Sequence, residues 1–233
     1  MHLMSLLRLF FTLLLNSPTT VPSLPPIPNL ALTYNEPVID RVMFDRSHPS
    51  PQMPALKSGE AALTKCDYRC RTGCRYHFIK HQRVQDHWHV TIAIEHFDVQ
   101  TNLTDTIYLP MMAPVLLRAH EEGHREMNER IYQDAYFLAR KIGTEVLSRT
   151  WEGDGTTPDA AGDAASNVAF NYFNTIYLTA TANRAGKLGV IYDRLTDHGR
   201  NNLYVANAIR LSFQEEKTAA TQSGELMHPT TQP

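Results

Sequence analysis

The sequence predicts an α+β fold in which an N-terminal antiparallel sheet packs on one long helix and two further C-terminal helices complete the layer. Two periodicities carry that prediction. Trp88, Val90, Ile92 and Ile94 alternate with His89, Thr91, Ala93 and Glu95, the period of a half-buried strand. Beyond Pro110 the period lengthens, and Leu116, Ala119, Gly123, Met127, Ile131, Ala135, Leu138 and Ile142 fall three or four apart to draw one helical stripe. No internal repeat breaks this order of strands followed by helices, so the 233 residues are read as one domain with a leader.

The elements follow in order. Arg8 precedes the apolar run Leu9 to Leu15, and the stretch is too short and interrupted to span a bilayer comfortably; residues 1–23 read as a secretory signal peptide or an uncleaved signal anchor. The proline-rich 24–30 is an extended linker, and the folded domain is expected over 31–217. Pro49, Pro51 and Pro54 mark a loop. Arg75 to Arg83, carrying Tyr76 and Phe78, is the expected hairpin partner of the strand at Trp88 across Val84-Gln85-Asp86, and Thr104 to Leu109 is a further short strand. The long helix should run from Pro114, whose missing N–H costs nothing in a first turn, to Arg149, about 50 Å with a bend at Gly143. Trp151 to Ser166, with Gly153, Gly155, Pro158 and Gly162, reads as a loop. A second helix from Asn167 ends at Gly199 as C-cap, a third spans Asn201 to Lys217, and 218–233 is a polar tail.

Composition excludes some functions. Lys plus Arg number 22 against 24 for Asp plus Glu, and the net charge of -2 gives no electrostatic grip on nucleic acid or on an anionic membrane. Membrane contact is expected only through an uncleaved signal anchor. Cys66, Cys70 and Cys74 stand four apart; export favours one disulfide and a leftover thiol, with a thiolate metal site as the lesser reading.

The chemistry is concentrated in His120-Glu121-Glu122-Gly123-His124. Histidines four apart on a helix share a face, so two imidazoles can reach one tetrahedral ion while Glu121 flanks it. Zinc would activate a water and polarise a carbonyl, and Glu121 would take the proton as general base. Gly123, on the buried stripe, would let a neighbouring element approach beneath the metal. A catalytic zinc takes three protein ligands and keeps one position open, so a third ligand is needed. Position 130 is Arg130, which removes the extended motif with a third histidine six residues on. His198, in Thr196-Asp197-His198-Gly199 at an expected helix end, is the candidate. Tyr192 is a candidate oxyanion donor, with Asp193 or Asp197 orienting a ligand imidazole. Five histidines of the strand region, His77, His81, His87, His89 and His96, show no repeated metal spacing and read as ordinary strand residues.

His120-Glu121-x-Gly123-His124 after a strand and Leu109-Pro110, followed by Tyr192-Asp193-x-x-Thr196-x-His198-Gly199, resembles a bacterial family of predicted secreted zinc-dependent proteases catalogued as a domain of unknown function. That resemblance spans 31–213 and implies His120, His124 and His198 as zinc ligands, Glu121 as the base, and export to the periplasm or beyond. The expected activity is therefore that of a zinc metallopeptidase acting on peptide or protein outside the cytoplasm. The alternatives are a metal-binding structural or interaction module without catalysis, and a zinc amidase acting on non-protein amides.

Overall fold

The 24-residue strand His87–Pro110 organises the molecule, and its side chains explain how. In the computed structural model, which describes residues 25–47, 53–56 and 59–222, Val90, Ile92 and Ile94 are buried, and so are Phe97, Val99, Leu103, Ile107 and Leu109. The parity of burial changes between Ile94 and Phe97. A bulge permits it: Arg75 faces His96 while Tyr76 faces Ile94, so Glu95 is an extra residue and the apolar set stays on one face. The segment 1–23 and the last residues of the tail lie outside the described residues.

The strands are β1 (Leu30–Tyr34), β2 (Val38–Phe44), β3 (Leu63–Val84), β4 (His87–Pro110) and β5 (Thr150–Gly155). β3 and β4 form the expected hairpin, made longer than expected because Thr104 to Leu109 continues β4 unbroken. Gln85, at the turn, has φ 57°. The expected antiparallel sheet is instead mixed. β3 runs antiparallel to β4 along one edge, whereas β5, antiparallel, and β1 and β2, both parallel, pair with it along the other. Alternation has the same period in both pairings, which is why it carries no information about strand direction.

The helices are α1 (Val115–Ser148), α2 (Pro158–Leu178), α3 (Arg184–Thr196) and α4 (Val205–Gln222), with a π-helical turn, Thr179–Asn183, joining α2 to α3. α1 matches the expected long helix within a residue at each end. Gly143 gives room to Leu30 of β1, since a Cβ there would fall 2.7 Å from the leucine Cδ1. The stretch expected to be a loop is the strand β5 and the start of α2. Its glycines serve contact rather than turning: a Cβ at Gly155 would lie 2.7 Å from the Ala160 carbonyl carbon, and one at Gly153 would strike the backbone of Ala161 and Ala165. Strand and alanine-rich helix thus meet backbone to backbone, with Thr157 as N-cap and Pro158 in the first turn. Three helices follow α1 where two were expected, and α4 continues to Gln222, into the expected polar tail.

All four helices contribute to the cores on the apolar side of β4. Ala135, Ala139, Ile142 and Val146 of α1 meet Val90 to Val99 of β4 and Ala161 to Tyr177 of α2. Further along α1, Met127, Ile131 and Tyr132 meet Leu103 of β4, Leu188 and Tyr192 of α3, and Ala208 and Ile209 of α4. Buried alternation and helical stripe thus meet in one two-layer body. The cysteines all lie on β3, where four residues span about 13 Å at about 3.3 Å per residue. No two of them can bridge within the chain, and all three are free thiols, which corrects the expected disulfide. No helix among the described residues is long and apolar enough to cross a membrane.

Candidate metal centre

His120 and His124 project from the buried face of α1 toward α3, and the contact between the two helices is set by a glycine. Tyr192 of α3 is wholly buried, and its ring stacks on His120 with centroids 5.0 Å apart. A Cβ on Gly123 would fall 2.6 Å from the tyrosine Cζ, so the helices reach this separation only because position 123 carries no side chain. The close approach expected of Gly123 is thus realised, with Tyr192 as the partner.

Bringing α3 this near puts Asp193 against the two histidines. Its Oδ1 lies 2.9 Å from His124 Nε2 and 3.2 Å from His120 Nε2, and the two Nε2 atoms are 3.2 Å apart. Two ligands of one tetrahedral zinc, each at about 2.0–2.1 Å from the ion, stand about 3.3 Å apart. The triangle meets that spacing within a few tenths of an ångström, and these three residues could hold a metal ion. Burial alone would raise the Asp193 carboxyl, yet hydrogen bonds with His120 and His124 and the attraction of both rings hold it well below the usual carboxylate range.

The proton inventory at His120 supports the same reading. Thr196 Oγ1 is 2.7 Å from Tyr192 O and 3.1 Å from His120 Nδ1. The hydroxyl has one proton, and the carbonyl can only accept, so Thr196 accepts from the Nδ1–H of His120. With the ring neutral, His120 Nε2 would present a lone pair to the Asp193 oxygen in place of the hydrogen bond that the protonated ring gives it, and a cation between the two acceptors resolves that arrangement. Gly199 backs the same ring: its φ is 76°, and a Cβ there would lie 2.8 Å from His120 Cβ.

Glu121 is 4% exposed and lies in the same cleft. Thr64 of β3 donates to its Oε2 at 2.7 Å. Burial pushes the Glu121 carboxyl up, opposed by His124, by the Thr64 hydroxyl and by His120. The cleft, about 200 Å³, opens between the start of β3, α1 and α3.

Two expected site residues fall elsewhere. His198 lines the cleft at its rim, 47% exposed, and its Nδ1 is 3.7 Å from Asp193 Oδ1. It does not belong to the group of converging ligand atoms, and Asp193 takes the third place expected for it. Tyr192 does not point into the cleft; its hydroxyl donates to the His120 carbonyl at 3.3 Å beneath the helix, so it is a packing group rather than an oxyanion donor. Adjacency to Tyr192 placed Asp193 near the first helix, but neighbours on a helix point about 100° apart, so its direction toward the two rings depends on the rotation of α3.

Asp105 was missed altogether. It is fully buried on β4 at an apolar position between Leu103 and Ile107, and accepts from Asn128 Nδ2 at 2.8 Å, while its other oxygen has no partner. A carboxylate in phase with a buried alternation was the legible sign. Burial pushes its carboxyl from an ordinary 3.8 to about 7, against the opposing pull of Asn128. The folded protein therefore retains a proton that the unfolded chain releases, and the stability this contributes is whole below about pH 4 and lost as pH climbs toward 7. Asp105→Asn should flatten that decline and stabilise the fold by a few kcal/mol above neutrality, read from urea melts across the range.

Comparison with protein-family models, with curated proteins and with solved structures returns no match. The resemblance to secreted zinc proteases rests on the two motifs alone.

Proposed function

We propose that this protein is a zinc-dependent peptidase acting outside the cytoplasm, with His120, His124 and Asp193 as metal ligands and Glu121 as general base. The observation that carries the reading is the triangle of ligand atoms at 2.9 and 3.2 Å with a buried glutamate beside it in one cleft. A zinc ion in that triangle would acidify water and polarise a carbonyl. The chain's own residues supply the rest. Thr196 fixes the His120 ring, and Thr64 holds the Glu121 carboxylate at the cleft wall. Glu121 takes a proton from the attacking water and returns it to the leaving amine.

Three protein ligands leave a coordination position open, which favours catalysis over a structural metal, whose sphere a fourth side chain would close. Among the described residues β3 pairs with β4 alone, and its first residues line the cleft. An unpaired strand edge beside the cleft suits an extended polypeptide better than a small amide. A location outside the cytoplasm, secreted or periplasmic, is supported by the reading of residues 1–23 and by the family resemblance.

Metal binding is the direct test. The chain stripped with chelator and reloaded should bind one zinc, measured by elemental analysis and titration calorimetry. Loss of a group that merely orients a ligand costs about 10–100-fold in affinity, so Asp193→Ala should cost more than about 100-fold. Unchanged affinity in that variant would remove Asp193 from the ligand set. A panel of fluorogenic peptides and small amides then separates peptidase from amidase.

A further inference from the structure

From the rim position of His198 we infer a further catalytic residue, a hydrogen-bond donor to the substrate carbonyl oxygen as it gathers negative charge. The inference rests on the zinc-peptidase reading. Its first support is geometric. His198 lines the cleft together with Glu121 and the three ligands, yet it stands outside their triangle. It is therefore placed to meet what occupies the cleft rather than the ion itself.

Its second support is elimination. An oxyanion would form here beside Glu60, Glu121 and Asp193, and no Lys or Arg lines the cleft among the described residues. Two of the side-chain donors that do line it already have partners: Thr64 gives its one proton to Glu121, and Asn128, itself buried, gives one of its two amide protons to Asp105. Among the described residues His198 has no such partner: at 3.7 Å its approach to Asp193 is too long for a hydrogen bond. Cys66, the other candidate, offers only a weak S–H donor.

Its third support is backbone strain held at this point. Asp197, His198 and Gly199 follow one another with φ of 48°, 51° and 76°, so two non-glycine residues in succession sit in the left-handed region. Glycine or asparagine at 198 would be accommodated more easily there. The turn is pinned by His198 N donating to Asp193 O at 3.0 Å and Asn201 Nδ2 donating to Leu195 O at 2.8 Å. A strained position that carries an imidazole to the mouth of a cleft points to a use for the imidazole.

The test uses the full chain, cobalt(II) in place of zinc, and a phosphinic peptide whose second oxygen stands where the oxyanion would form. His198→Asn and His198→Gly suit the left-handed turn and should melt no lower than the wild type. Both should keep one equivalent of cobalt with an unchanged visible spectrum, and both should bind the phosphinic peptide about 100-fold more weakly, the usual cost of one such donor. Lost cobalt or an altered spectrum would make His198 a ligand and overturn the inference. Unchanged phosphinic peptide affinity would make it a bystander and overturn it equally. If the wild type takes up no cobalt, or takes it up and ignores the phosphinic peptide, the underlying peptidase reading fails instead.

Discussion

Glu121→Gln should lower peptide turnover by about 100- to 10,000-fold, the range for loss of a positioned general base, while metal content stays at the wild-type level. The two outcomes are coupled by geometry. Glu121 shares a helical face with the ligands but is absent from the converging triangle, so its removal takes the base and leaves the ion. The amide keeps the shape of the carboxylate and still offers an oxygen to the Thr64 hydroxyl, now 2.7 Å from Oε2. Stability at neutral pH should hold or rise, because a buried carboxylate whose pKa is raised is costly to ionise and the amide is not. The measurement is turnover of a fluorogenic peptide beside elemental zinc analysis. Retained turnover would dismiss Glu121 as base, and a parallel loss of zinc would show that it serves the metal.

The contrast between His198 and Asp193 shows how far a sequence can carry a site. The histidine pair on α1 was readable because ligands four apart on one helix are a local property, decided by about 3.6 residues per turn. The third residue of the group that could hold a metal belongs to another helix, and its identity depends on how closely α3 approaches and on how it is rotated. Both are settled by Tyr192 seating in the gap at Gly123, which brings Asp193 rather than His198 to the two rings. The same limit applies to the sheet. Burial of one face of β4 was legible in its alternation, but the direction of β1 and β2 was not. The glycines of β5 illustrate a different difficulty, since Gly153 and Gly155 have the composition of a loop while acting as contact surfaces for the backbone of α2. The free cysteines follow from strand geometry: a four-residue step that would gather thiols on a helix spreads them along β3.

Gly123→Ala should damage the fold and the candidate metal site together. The added Cβ would collide with the hydroxyl of Tyr192 and lie 2.6 Å from its Cζ, and the tyrosine is fully buried between α1 and α3. Val205 Cγ1, at 3.0 Å, blocks retreat on another side. The clash must therefore be relieved by moving α3, at a cost of about 3 kcal/mol, the upper part of the range for overpacking a core. Moving α3 also moves Asp193 and Thr196, so the ligand triangle opens and the His120 ring loses the partner that fixes its tautomer. Zinc affinity should fall by at least the 10–100-fold typical of a lost orienting group, beyond what the fold itself loses. Gly186→Ala supplies the control on α3: beyond its chain neighbours and its own helix backbone no atom lies within 4 Å of a Cβ there, and alanine is favoured over glycine inside a helix by up to about 1 kcal/mol. That variant should be as stable as the wild type or more so, with metal affinity unchanged. If Gly123→Ala weakened the fold but left zinc affinity intact, the metal would have to be held without Asp193, and the ligand set would need to be sought on α1 alone.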